Sequence, residues 1–150
     1  MNLGPFDIKS ALLARHAQHV VLIHFPIALF IVGVIFDLLS QWSGRRSLAD
    51  AAYYNCSAAA ISTVPVLLTG ILAWQFALEG QRLKGVLLDH LVLGFASTLI
   101  IWLVWWIQFR SRRDRKVLPL FRIPLELLGV AVVALTGHLG GFLSGVNGAG

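Results

Sequence analysis

The 150-residue chain has a single cysteine, Cys56, set in an apolar stretch. An intrachain disulfide is therefore excluded, and no thiolate metal site can be assembled. Charge is also scarce, at 13% of residues, against 57% hydrophobic residues and a mean hydropathy of +0.79. That balance excludes a soluble globular domain and places the chain among integral membrane proteins. The sequence has no phosphate-binding glycine loop and no serine or cysteine nucleophile with a nearby base, so nothing in it requires bond-making catalysis. The formal charge of +5 does not indicate a nucleic-acid partner, because the basic residues punctuate apolar runs and half of them gather in one stretch, Arg110 to Arg122. The start reads as a retained span rather than a cleaved signal peptide: the apolar run after Val20 is too long for an h-region, no small-x-small site follows, and three more such runs come after it.

What is present is four apolar runs, and they predict an all-α, integral membrane four-helix bundle. Residues 1–15 read as an interfacial arm, 16–143 as the transmembrane domain and 144–150 as a glycine-rich, flexible tail. The expected helices cover roughly His16 to Gln41, Ala49 to Phe76, Val86 to Phe109 and Pro119 to Leu143. The second is rich in small residues (AAYYNCSAAAIST), which marks a packing face that either closes the monomer or makes a homo-oligomer. Pro65 should bend it, and Pro26 should do the same to the first helix by freeing the carbonyl of Leu22. Trp102, Trp105 and Trp106 read as an interface belt. Arg45, Arg46 and the basic residues from Arg110 to Arg122 outnumber Lys9, Arg15, Arg82 and Lys84. The first set is thus expected in the cytoplasm, with both termini outside.

Two short matches predict an internal repeat. QHVVLIHF (Gln18 to Phe25) resembles DHLVLGFA (Asp89 to Ala96), and LTGILAW (Leu68 to Trp74) resembles LTGHLGG (Leu135 to Gly141). The order and spacing describe two helical hairpins related by an axis along the membrane normal, with His19 and His90 as symmetry mates.

Topology then sorts the histidines. His16, His19 and His24 open the first helix, His90 opens the third and His138 lies near the end of the fourth, so all five belong to one leaflet. Polar side chains in hydrocarbon are costly and mark sites by default, and imidazole is the commonest metal ligand. His19, His24, His90 and His138 are the candidate cofactor or metal ligands, with His24 and His90 ranked first. Nitrogen donors without thiolates, and with few acids at that level, suit haem iron, copper or zinc rather than calcium or magnesium. Haem needs two imidazoles at matching height and space between them. Gly70, Gly94, Gly137, Gly140 and Gly141 offer either that space or close helix packing. Asp89 reads as a helix cap or as an acceptor orienting His90. Asp37 and Glu126, at the other end, read as ion-pair partners for Arg45, Arg46 or the arginines of the later loop, or as a proton relay.

HFPIAL, Asp37, His90 and the HLGG near the C-terminus resemble a family of predicted bacterial four-helix membrane proteins, domain of unknown function 2231, from about His19 to Gly148. Some members resembling this chain are joined to, or encoded near, cytochrome c-type or other redox modules. The resemblance implies membrane electron transfer and a bacterial inner-membrane location. The tail departs from the family's usual aromatic and basic ending. Together with the histidines, this leads to a haem b-binding electron-transfer subunit in contact with lipid, passing electrons to a quinone or an outer-face cytochrome c. The alternatives are a copper or zinc binding membrane protein on the same histidines and a non-catalytic structural subunit.

Overall fold

A computed structural model describes residues 15–76, 80, 82–114 and 117–144. All of the expected arm but Arg15, and all of the tail but Ser144, lie outside them. The helices are α1 (Arg15–Leu22), α2 (His24–Ser43), α3 (Arg46–Phe76), α4 (Val86–Arg113) and α5 (Arg122–Leu143). Gln18–Ser43, taken across the junction of α1 and α2, is one of four segments long and apolar enough to cross a membrane, with α3, α4 and α5 as the others. The fold is an all-α four-helix bundle, and its outer faces carry large apolar residues such as Ile61, Leu99, Val92 and Leu128, as lipid contact requires.

The first helix, expected to be unbroken, is interrupted at Ile23. Pro26 has no N–H for the carbonyl of Leu22 and its ring crowds that turn. The ladder resets there: Ile23 N–H reaches His19 O at 3.0 Å, but Ile27 N–H meets Ile23 O only at 3.4 Å. Through Pro65, by contrast, α3 runs on without a break. Helix α2 ends where Gly44 takes a left-handed conformation (φ +67°) and returns its N–H to Ser40 O, a geometry that glycine adopts without steric cost.

The small-residue face of α3 closes the monomer against α2. Ala52, Cys56, Ala59 and Ala60 are buried there, and a Cβ built on Gly33 would lie 2.8 Å from Cys56 Sγ and 3.3 Å from the Cys56 backbone nitrogen. Two of the three tryptophans expected at the interface instead join helices. Trp102 Nε1–H donates to Thr63 Oγ1 at 3.0 Å and Trp105 Nε1–H to Ser57 Oγ at 3.1 Å, tying α4 to α3. Trp106 remains half exposed. Phe30, Val34, Ile101, Val104 and Val133 fill the centre. Because a backbone atom cannot yield as a side-chain tip can, Gly33→Val should wedge α2 from α3. We expect a destabilisation of about 1–3 kcal/mol, read as a lowered unfolding midpoint in detergent, whereas Gly94→Ala, whose Cβ meets nothing within 4 Å, should leave that midpoint unchanged.

Candidate functional site

The histidine end of the bundle contains a cavity of about 180 Å³, walled mainly by apolar residues of every helix and entered by two imidazoles, His19 from α1 and His90 from α4. Their ring centres are 6.3 Å apart and their planes nearly perpendicular, at 86°. Each ring is aimed by a partner on the helix behind it. His90 Nδ1 lies 3.1 Å from the carbonyl oxygen of Thr136. A carbonyl only accepts, so Nδ1 carries the proton and the lone pair is on Nε2. His19 Nδ1 lies 3.3 Å from Thr69 Oγ1. The Thr69 hydroxyl hydrogen is directed to the carbonyls of Pro65 and Val66, at 2.8 and 3.1 Å, so its oxygen accepts and His19 takes the same tautomer. This is how proteins orient an imidazole that ligates through Nε2.

Glycines set the depth of both rings. A Cβ on Gly70 would come within 3.0 Å of His19 Cε1, and one on Gly140 within 3.1 Å of His90 Cε1. Gly94 also lines the cavity, and the space where its side chain would be is open. Ser97 and Thr136 continue the polar lining inward: Thr136 Oγ1–H donates to Val132 O at 2.7 Å, so Ser97 Oγ–H donates to Thr136 Oγ1 at 3.0 Å.

The other candidate histidines are placed differently. His24 is exposed on the outer face, its Nδ1 donating to Val20 O of its own helix at 2.8 Å. His138 is exposed and packs edge-on against Phe142, with ring centres 5.0 Å apart. The side chain of His16 lies outside the described residues. The geometry thus joins His19 to His90, rather than the pair His24 and His90 that sequence position ranks first. Asp89 is exposed at the start of α4, and the acceptor that orients His90 is the Thr136 carbonyl. Thr136 and Ser97 escape a search for ligating residue types, though the twice-used LTG triplet points to Thr69 and Thr136 as equivalents. That equivalence holds in the structure: the matched histidines each bond a matched threonine, one through a hydroxyl and one through a carbonyl.

At the opposite end, Asp37 meets an arginine, but not in a loop. Arg122, the last of the basic residues around the start of the expected fourth helix, opens α5 completely buried. Its Nε and Nη2 lie 2.9 and 2.7 Å from Asp37 Oδ2, and its Nη1 donates to Pro119 O at 3.1 Å. Glu126, one turn further on, has Oε1 at 3.8 Å from Arg122 Nε and accepts from Gln108 Nε2 at 3.4 Å. Gln108 Nε2 also lies 3.8 Å from Cys56 Sγ. Asp37 follows His19 by 18 residues and Gln108 follows His90 by 18, so the repeat brings equivalent positions into this cluster too. It was the repeat, not residue type, that could have revealed Gln108.

What the histidine pair can hold follows from distances. With about 2 Å from metal to nitrogen and about 1.2 Å from nitrogen to ring centre, imidazoles on opposite sides of one ion have centres about 6.4 Å apart, against about 5.2 Å at a tetrahedral angle. The observed 6.3 Å matches the first. Among the described residues no group of three or more His, Cys, Asp or Glu side chains is placed to share an ion. Two nitrogen donors fall short of the four that zinc prefers but equal the axial demand of a haem, which brings its own equatorial nitrogens. The donor set suits haem; Gly70 and Gly140 make room for the two imidazoles, and of the cavity glycines Gly94 faces open space.

No curated protein and no solved structure matches this chain. A family profile described as a predicted membrane protein, DUF2231, matches residues 15–150. The resemblance carried by HFPIAL, Asp37, His90 and HLGG thus extends over nearly the whole sequence, and the chain belongs to the DUF2231 family of predicted membrane proteins.

Proposed function

We propose that this protein is a membrane electron-transfer subunit that binds one haem b between His19 and His90. The observation that carries the reading is the 6.3 Å, near-perpendicular disposition of two imidazoles in one cavity, each held at Nδ1 by a threonine of a neighbouring helix. Haem supplies one-electron chemistry when bound. The chain's own residues orient the axial nitrogens through Thr69 and Thr136 and surround the site with apolar side chains that exclude water. In this reading a membrane quinol donates single electrons and a cytochrome c at the outer face accepts them. Arg45, Arg46, Arg110, Arg112 and Arg113 lie at the end away from the histidines, which supports a cytoplasmic location for that end in a bacterial inner membrane and, in this reading, a haem near the periplasmic face.

A reduced-minus-oxidised visible spectrum of protein purified from a haem-replete host tests this directly. A Soret band that sharpens and shifts on reduction is expected. Bound copper or zinc without that band would instead support a plain metal site on the same pair, and neither would leave a structural subunit. Gly94→Leu supplies a second test, since it projects a side chain into open space in the cavity. Haem retention should weaken at least about tenfold, equivalent to about 1.4 kcal/mol, while the unfolding midpoint of the haem-free chain stays unchanged.

A further inference from the structure

The buried cluster at the end opposite the histidines is not used by electron transfer. Asp37 lies about 27 Å along the helix from His19 at 1.5 Å per residue, nearly the thickness of the hydrocarbon core. Asp37, Arg122 and Glu126 are 0–1% exposed and Gln108 is 2% exposed. Their charges do not balance. Helix α2 contributes the carboxylate of Asp37, and α5 the guanidinium of Arg122 and the carboxylate of Glu126. Helix α4 contributes the neutral amide of Gln108, and α3 the Cys56 thiol. With both carboxyls ionised the cluster holds a surplus negative charge, which so fully buried a site does not tolerate.

A second observation points the same way. Asp37 Oδ1, Glu126 Oε2 and Gln108 Oε1 are buried without a hydrogen-bond partner, and so is Arg122 Nη2, whose 2.7 Å approach to Asp37 Oδ2 is an ion pair. Three of these four atoms are acceptors, so the cluster is short of a donor. A proton on one carboxyl provides that donor and cancels the surplus charge together. We propose that Asp37 and Glu126 share one exchangeable proton, making this end of the bundle a proton-binding site. It is served from the side of the two basic loops, because Arg122 is the first residue of its helix and Pro119, whose carbonyl it holds, belongs to the loop.

Infrared spectroscopy of the full chain in lipid nanodiscs at neutral pH tests the proposal. A protonated-carboxyl stretch is expected in the wild type, shifting in D2O as the proton exchanges. Asp37→Asn and Glu126→Gln each remove the surplus charge, so either should abolish the band, and if one variant fails to insert the other reads the same quantity. Arg122→Gln strands both carboxyls and should about double it. Asp89→Asn should leave it unchanged. A wild-type chain without the band, a band that does not shift in D2O, or a band retained in Asp37→Asn or Glu126→Gln overturns the proposal. The measurement does not depend on haem, so its outcome is separate from that of the visible spectrum.

Discussion

Substituting His90 or His19 by alanine is expected to abolish the Soret band of the purified protein, whereas His24→Ala and His138→Ala should retain it. The asymmetry follows from where the side chains lie. His19 and His90 converge in one cavity from different helices, while His24 bonds its own helix on the outside and His138 packs on Phe142. If the pair holds haem, removing one of its two nitrogen donors should lower haem retention by at least the 10–100-fold that loss of even an indirect ligand partner costs. Free imidazole, small enough to enter the space that His90→Ala opens, should restore part of the band. Survival of the spectrum in both His19→Ala and His90→Ala would reject the pairing. Its loss in His24→Ala alone would move the site to the lipid-facing side.

Arg122→Met is expected to have the largest effect on stability. The methionine side chain is apolar and of comparable length, so the substitution removes a charge with little change in packing. It leaves Asp37 and Glu126 facing one another without the guanidinium that now lies 2.7 Å from Asp37 Oδ2. Breaking a buried ion pair from one side costs about 3–5 kcal/mol, and here the lower end applies because the stranded carboxyls can take up protons instead of staying charged. The unfolding midpoint in detergent measures it. Replacing all three members together, with Asp37→Leu, Arg122→Met and Glu126→Leu, should recover most of the loss, since well-packed apolar groups need no compensating charge. If the triple variant is as unstable as Arg122→Met, the cost is one of packing rather than of unpaired charge. The exposed pair Arg112–Asp50, at 2.6 Å with both side chains more than a third exposed, offers a contrast: Asp50→Ala should change stability by less than about 1 kcal/mol.

The break at Ile23 shows what local chemistry makes legible. Proline lacks a donor wherever it stands, so a weakened turn around Leu22 follows from Pro26 alone. Whether a helix stops there depends on its neighbours, and Pro65 sits within a continuous α3. The helix ends drifted for a related reason. The basic stretch from Arg110 to Arg113 continues α4 instead of forming a loop, and Arg112 caps the contact with α3 by reaching Ala49 O and Asp50 and lying over the Tyr53 ring. An arginine run reads as solvated in sequence because its charge is visible there and its partners are not.

Membership of the membrane class, four spans, and the gathering of every histidine at one end were determined by sequence alone, because hydropathy and 1.5 Å per residue are properties of a chain taken by itself. The repeat carried further, matching His19 with His90. Only the tertiary structure decided which imidazoles face inward, because a rotation of about 100° per residue turns His24 outward while His19, five positions earlier, points into the cavity. It also decided that Arg122 turns to the interior, where Asp37 on another helix meets it. Direction around a helix and the identity of a partner 85 residues away are set by packing, and no run of neighbouring residues encodes them.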